Sequence, residues 1–222
     1  MPINVNSNSD VLNDIRSIGM ELDSQWRSMN YSTKLFPALA SASLARARLC
    51  SISNIPHIAA SLIVDTADVH SHSFSDLSLR VFNSHHFFIE LLIWLDGSTT
   101  IHEHAFCGAF CVLDGSSIHS KFQFDCRHRI SDRMLIGKSH FCGSELLSRG
   151  DIRQICPGKG NMHSLFHLAR PSLTMVIRTH AEKKYLPQME IRHPCFAIES
   201  QLPRDSSDFG NDQRTGSFAF KN

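Results

Sequence analysis

The sequence predicts an all-β barrel of the double-stranded β-helix (jelly-roll) type behind an N-terminal helical segment. Three observations carry that expectation. Apolar residues at helical spacing are confined to roughly residues 10–65. From about residue 71 the pattern changes to short β-like segments separated by Gly, Asp, Ser and Pro, at the spacing of a sandwich or barrel. No helical pattern intervenes between them, which argues against a parallel α/β sheet. The expected organisation is a helical segment at 1–70, a β-barrel at 71–200 and a flexible tail at 201–222.

The elements follow in order. Val11, Leu12, Ile15, Ile18 and Leu22 recur at helical spacing, with Ser9 or Asp10 as cap and Gly19 as a weak point in the middle. A second helix is expected from about Ser32 to Leu49, with Pro37 in its first turn or ahead of it. A short third helix is expected over Ile55–Val64. This layer is expected to pack on the outside of the barrel or to form a homodimer surface. The β-like segments are Leu77–Phe82, Phe87–Leu95, Ile101–Leu113, Ile118–Phe124, Arg133–Ile136, Ile152–Ile155, Met162–Leu168 and Leu173–Thr179. Asp114-Gly115 reads as a hairpin turn.

Composition narrows the function classes. Apolar content of 42%, charged content of 19% and a net charge of +1 describe an ordinary globular chain with no broad field for nucleic acid or an anionic membrane. The longest mainly apolar run, Phe87 to Leu95, is too short to span a bilayer and contains Glu90. The N-terminus has no basic region followed by an apolar stretch, so a cytoplasmic location is expected. Seven cysteines, an odd number without framework spacing, read as free thiols in a reducing compartment.

The chemistry concentrates in Gly97-Ser-Thr-Thr-Ile-His102-Glu-His104-Ala-Phe-Cys-Gly108. In a strand, residues i and i+2 share a face, so His102 and His104 project side by side and Glu103 turns the other way. Neutral imidazole is the commonest ligand for a transition metal, and a His-x-His pair supplies two of the three ligands a catalytic site needs. The third is expected from another strand. Gly150-Asp-Ile-Arg-Gln-Ile-Cys-Pro157-Gly-Lys-Gly160-Asn-Met-His163 runs from a strand through a Pro/Gly turn to a histidine, which makes His163 the candidate. His167 shares a face with His163 and reads as a supporting donor or a buried histidine, not as a ligand. Fourteen histidines in one chain make chance spacings common. Accordingly His70-Ser-His72 reads as loop, His85-His86 as a turn, and His119, His128, His140 and His193 have no companion pattern.

These two segments resemble the paired motifs of the cupin superfamily: Gly, His-x-His and a closing Gly, then Gly, a Pro/Gly turn and a lone His. Most cupins carry a Glu shortly after the pair; here Ala105-Phe-Cys-Gly-Ala-Phe110 holds no carboxylate. The pattern is similar to the three-histidine, cysteine dioxygenase-like branch, as is the run from Phe87 through Trp94 to Ser98-Thr-Thr-Ile-His102. That resemblance, over roughly residues 75–185, implies Fe(II) held by His102, His104 and His163, with other divalent transition metals also compatible with three nitrogens. It implies a small-molecule substrate and O2. It places a carboxylate anchor at Arg80, with Arg178 as a competitor, because a guanidinium forks onto a carboxylate. The branch also presents a Tyr hydroxyl, in some members crosslinked to a Cys. Here the corresponding strand ends Arg178-Thr-His180, so His180 is the candidate acid/base, with Cys107 near the His pair. The missing Tyr puts cysteine itself as substrate in doubt. Two other classes stay open: a non-oxidative Zn or Mn hydrolase or isomerase, and a binding cupin without turnover. Glu90 is the acid whose entry into the ligand set would overturn the three-histidine reading.

Overall fold

The computed structural model describes residues 8–47, 69–70, 75–95, 97–158, 160–185, 187–192 and 196–200. Two helices come first, α1 (Asn8–Ser28) and α2 (Phe36–Ala47). Val11, Ile15, Leu22 and Trp26 are buried on one face of α1, four and seven residues apart as an amphipathic helix requires. Gly19 does not break the helix. A Cβ there would lie 2.6 Å from the Phe82 ring, so the glycine lets α1 press against the sheet. Pro37 is the second residue of α2, where its missing N–H has no helical acceptor to lose. The expected third helix and the 201–222 tail lie outside the described residues.

Twelve strands follow: β1 (Val69–His70), β2 (Leu77–Asn83), β3 (Phe87–Trp94), β4 (Ile101–His102), β5 (Gly108–Asp114), β6 (Ser116–Ser131), β7 (Met134–Ser148), β8 (Ile152–Ile155), β9 (Met162–His167), β10 (Ser172–Thr179), β11 (Met189–Arg192) and β12 (Phe196–Glu199). One sheet has the order β1-β2-β3-β10-β5-β8. The other closes on itself as β11-β12-β7-β6-β9-β4. All pairings are antiparallel. From β3 to β11 the chain passes to the opposite sheet at every connection except the β6–β7 hairpin. That alternation winds a double-stranded β-helix, the fold class the sequence predicts, and the helical segment stands in front of it.

Three expectations are corrected. The segment read as one strand, Ile101–Leu113, is two, β4 and β5, which belong to different sheets. Asp114-Gly115 is not a hairpin turn. It is the corner where the chain leaves β5 for β6 in the other sheet, and Gly115 serves it with φ of +87°. The segments read as Ile118–Phe124 and Arg133–Ile136 belong to one long hairpin of 16- and 15-residue strands, turning at Asp132-Arg133. The outer half of its first strand, Asp125 to Ser131, is exposed throughout and lacks the alternation that marks a half-buried strand, whereas Leu135 on the second is buried.

The six-stranded sheet is buried on both sides, which explains why β3 and β5 read as nearly continuous apolar runs. Phe87, Ile89, Leu91, Ala109, Cys111, Leu113, Leu173, Met175 and Ile177 pack against the helices. The alternate residues Leu92, Trp94, Phe110, Val112 and Val176 fill the barrel with Phe106, Leu147, Ile155 and Leu165. Gly108 permits the close passage of β5 over β10, since a Cβ there would meet the Ile177 carbonyl oxygen at 2.0 Å.

Candidate metal centre

His102 ends β4, His104 follows two residues on, and His163 is directly opposite His102 in the β4–β9 ladder. All three are buried, at 3%, 3% and 8% exposure. Glu103 turns away as expected: its N–H donates to the Met189 carbonyl and its Oε1 accepts the Met189 N–H, holding β11 to β4. The Pro/Gly turn is clipped to the same place, since the Gly158 N–H donates to the His104 carbonyl at 3.0 Å. Gly158 has φ of +96°, the left-handed conformation that a turn of this kind uses.

The three rings form a near-equilateral triangle, with centroid separations of 4.8, 4.8 and 4.9 Å. One nitrogen from each lies within 4.8 Å of the others. His102 donates its Nδ1–H to the Thr100 carbonyl at 2.7 Å, which leaves the lone pair on Nε2. His104 Nε2 and His163 Nε2 face each other at 2.8 Å. Two ligand nitrogens at about 2.1 Å from one octahedral metal ion stand about 3.0 Å apart, so the His104–His163 spacing fits a shared cation. No carboxylate belongs to this cluster among the described residues. Its donor chemistry is three neutral nitrogens, which suits Fe, Co, Ni, Cu or Zn.

Electrostatics keep the rings neutral. Burial pushes the His102 imidazolium down to about 4, only partly offset by the Thr100 carbonyl and by Glu190 across the ladder. Burial, then the neighbouring rings, hold His104 and His163 well below the usual imidazole range. Neutral imidazole is the form that ligates.

His119 was not expected at the centre. It stands on β6 beside His163, and its Nε2 is 2.8 Å from His163 Nδ1. Its Nδ1 is 3.0 Å from Glu145 Oε1 on β7. Glu145 in turn receives Arg153 Nη2 at 2.7 Å and Nε at 3.0 Å, and Lys121 Nζ at 3.2 Å.

His167 supports no ligand directly. Its Nδ1 lies 2.8 Å from both Ser117 Oγ and Ser172 Oγ, and its ring stacks on Trp94 at 4.5 Å. Burial pushes it down to about 4. Because this folded value is below the unfolded one of about 6.5, the stability that neutral His167 contributes is fully present above about 6.5 and is lost as pH falls toward 4. His167→Asn should flatten the pH dependence of the unfolding free energy over that window, by about 1–2 kcal/mol relative to wild type. An unchanged slope would mean that His167 titrates normally.

Arg80 and Arg178 both bond Glu90. Arg80 Nη2 is 3.2 Å from Oε1 and Arg178 Nε is 3.1 Å from Oε2, with Glu90 only 2% exposed. The anion that a buried arginine requires is therefore Glu90. By strand alternation Glu90 and Arg178 face the barrel with Leu92 and Val176. The Arg178 guanidinium lies over Phe88 at 4.4 Å and over Phe106 at 4.5 Å, and Phe106 packs on the His104 ring at 4.5 Å. Arg80 stacks on Phe88 at 4.0 Å, and His180 packs on Phe88 at 5.2 Å. Cys107 turns to the helical side, where its Sγ contacts the Thr33 carbonyl at 3.5 Å and Thr179 Oγ1 at 3.7 Å. Burial pushes its thiol up to about 11, so it is protonated at neutral pH. Tyr31 packs on Trp26 and His86 on the helical side. Tyr185 flanks the Gly158 turn. His70 falls in β1 instead of a loop, and His72 and His193 lie outside the described residues. No helix among the described residues is long and apolar enough to cross a membrane.

No family model matches the chain, and no curated protein matches it. Solved structures with a similar fold include the hydroquinone 1,2-dioxygenase of a Sphingomonas species with 4-hydroxybenzoate bound (14% identity, TM-score 0.36, covering 47% of this chain and 66% of that one). The oxalate decarboxylase of Lactobacillus farciminis, in its formate complex, aligns at 15% identity and TM-score 0.34 over 48% of this chain and 28% of that one. An RmlC-like cupin from Shewanella frigidimarina aligns at 12% identity and TM-score 0.32 over 50% and 80%. The likeness covers about half of this chain, and the sites described above rest on their own geometry.

Proposed function

We propose that the chain is a cupin metalloenzyme, a mononuclear non-heme iron oxygenase of the cysteine dioxygenase-like type, acting on a small substrate with O2. The observation that carries this reading is the convergence of His102, His104 and His163 inside the barrel with no acid among them. Iron(II) held there would supply adjacent open positions at which a substrate donor and O2 meet. The residues of the chain do the rest. The three imidazoles bind as neutral donors, so the dication keeps its full charge and favours an anionic substrate donor such as a thiolate or carboxylate. Phe106, Phe110, Leu165 and the other barrel residues exclude water and strengthen that attraction.

Arg178 is the arginine we assign to a substrate carboxylate, because Phe106 links it to His104; Arg80 supports it through their shared Glu90. The two guanidiniums and one carboxylate sum to +1, which leaves room for an anionic ligand. His180, beside Phe88, is assigned the acid/base role at the same end. Arg178→Lys should raise KM by about 10- to 100-fold with metal content unchanged, since Lys keeps the charge and loses the planar fork. Wild-type kinetics in that variant would remove the carboxylate from the substrate.

The deciding experiment is metal analysis of protein purified without added metal, followed by oxygen uptake against a panel of thiols and amino acids. Iron with thiol- or amino-acid-dependent uptake supports the proposal. Zinc or manganese with no uptake would replace it with the hydrolase or isomerase reading, and turnover of nothing on any panel with the small ligand retained would leave a binding protein.

A further inference from the structure

We infer that His119 and Glu145 are positioning residues of the metal centre: a carboxylate on the neighbouring strand sets, through His119, the tautomer in which His163 can ligate. This rests on the three-histidine metal reading and adds two residues that contribute no ligand atom.

The argument is one of donors and acceptors. A carboxylate flanked by Arg153 and Lys121 is ionised throughout the neutral range, and the Arg153 contacts hold Glu145 down to about 2. An ionised carboxylate only accepts hydrogen bonds. The 3.0 Å contact from His119 Nδ1 to Glu145 Oε1 therefore requires the proton of His119 to sit on Nδ1. A neutral imidazole has one N–H, so His119 Nε2 is an acceptor. Across the 2.8 Å contact it must receive a proton, and the group it faces is His163 Nδ1. His163 then carries its single N–H on Nδ1 and presents the Nε2 lone pair to His104 Nε2, at the point where the triangle converges. The polarity of two hydrogen bonds is thus fixed from the Glu145 end. His102 reaches the same state by a shorter route, its Nδ1–H on the Thr100 carbonyl.

The arrangement is also mechanical. β6 lies between β7 and β9 in the closed sheet, so Glu145, His119 and His163 come from three successive strands. His119 is 5% exposed and its ring stands edge-on to that of His163, at 82° and 5.0 Å between centroids. The ring of His163 is fixed at Nδ1 by His119, which leaves its Nε2 facing His104 Nε2. Outer partners of this kind typically change metal affinity by about 10- to 100-fold when removed.

The test uses the full chain and Co(II) as the probe, with two readouts besides turnover. One is the dissociation constant and visible absorption spectrum of the Co(II) protein. The other is the imidazole tautomer seen by two-bond proton–nitrogen NMR in the Zn(II) protein. Glu145→Gln is the main variant, because its amide can donate to His119 and reverse the chain. Arg153→Ala is the control, because it removes the same ion pair and leaves the carboxylate. We expect Glu145→Gln to weaken Co(II) by about 10- to 100-fold and to alter its spectrum, His119 to carry its proton on Nδ1 in the wild type, and Arg153→Ala to stay within about threefold of wild type. Wild-type Co(II) affinity in Glu145→Gln, or an Nε2–H tautomer at His119, would overturn the inference while leaving the metal reading intact. So would an Arg153→Ala variant as weak as Glu145→Gln, which would assign the effect to the ion pair. A wild-type chain that takes up no Co(II) would overturn the metal reading, and this inference with it.

Discussion

His163→Ala should purify with less than about a tenth of the wild-type metal and lose its oxygen uptake, while the apo protein unfolds within about 1 kcal/mol of wild type. The two halves of that expectation have different causes. A three-nitrogen site that loses one nitrogen retains two neutral donors, too few to hold a divalent ion against water. The fold, in contrast, gains little from His163 as an apo residue. Its ring is a buried polar group pressed between His104 and His119, and burial disfavours its charged form. Removing it leaves a small cavity and one fewer histidine that must stay neutral. The same substitution at His104 should behave alike, with an added loss from the Phe106 ring it supports. Metal content by elemental analysis, set beside denaturant unfolding of the apo form, reads both halves. Retention of full metal content in His163→Ala would remove the residue from the centre. A loss of more than about 3 kcal/mol in the apo protein would make it a structural residue first.

Much of this centre is legible in the chain because its geometry is local. His102 and His104 are two residues apart, and although β4 ends at His102 the extended chain beyond it still brings both rings to one side, 4.8 Å apart. His163 is legible at one remove: the Pro157-Gly158 turn announces a reversal, and the structure ties that turn to the His104 carbonyl. His119 and Glu145 are not legible. His119 meets His163 across 44 residues and Glu145 across 26, through the register of a hairpin whose first strand is exposed throughout its outer half. A register shift of one residue would turn His119 out of the barrel, and nothing in the local sequence fixes that register. Asp114-Gly115 illustrates the opposite failure. Its local signal is real, since the glycine takes the positive φ it advertises, but whether such a turn folds a strand back or hands it to another sheet depends on partners elsewhere.

Glu90 is where sequence and structure meet least simply, and it gives the largest expected effect on stability. As a lone acid in the apolar run of β3 it stands out, and either a metal or a cation could explain it. In the fold its two oxygens face Arg80 and Arg178, whose guanidiniums are about one-fifth to one-quarter exposed and lie on the Phe88 ring. Glu90→Gln keeps the size and shape and removes the charge. Two guanidiniums then share a largely desolvated site without their common anion. Removing one partner of a buried ion pair costs about 3–5 kcal/mol, because the surviving charge is left uncompensated; partial exposure of the arginines points to the lower end. The variant should therefore unfold about 3 kcal/mol more easily than wild type, most strongly at low ionic strength where the two cations repel with least screening. Folded Glu90→Gln should nevertheless bind its metal with wild-type stoichiometry, because Glu90 supplies no ligand to the triangle. Denaturant unfolding of the apo protein and metal titration of the folded variant separate the two roles. A stable variant that has lost its metal would place Glu90 in the ligand set and bring the carboxylate chemistry of other cupins back into consideration; an unstable variant with full metal content assigns Glu90 to the arginines.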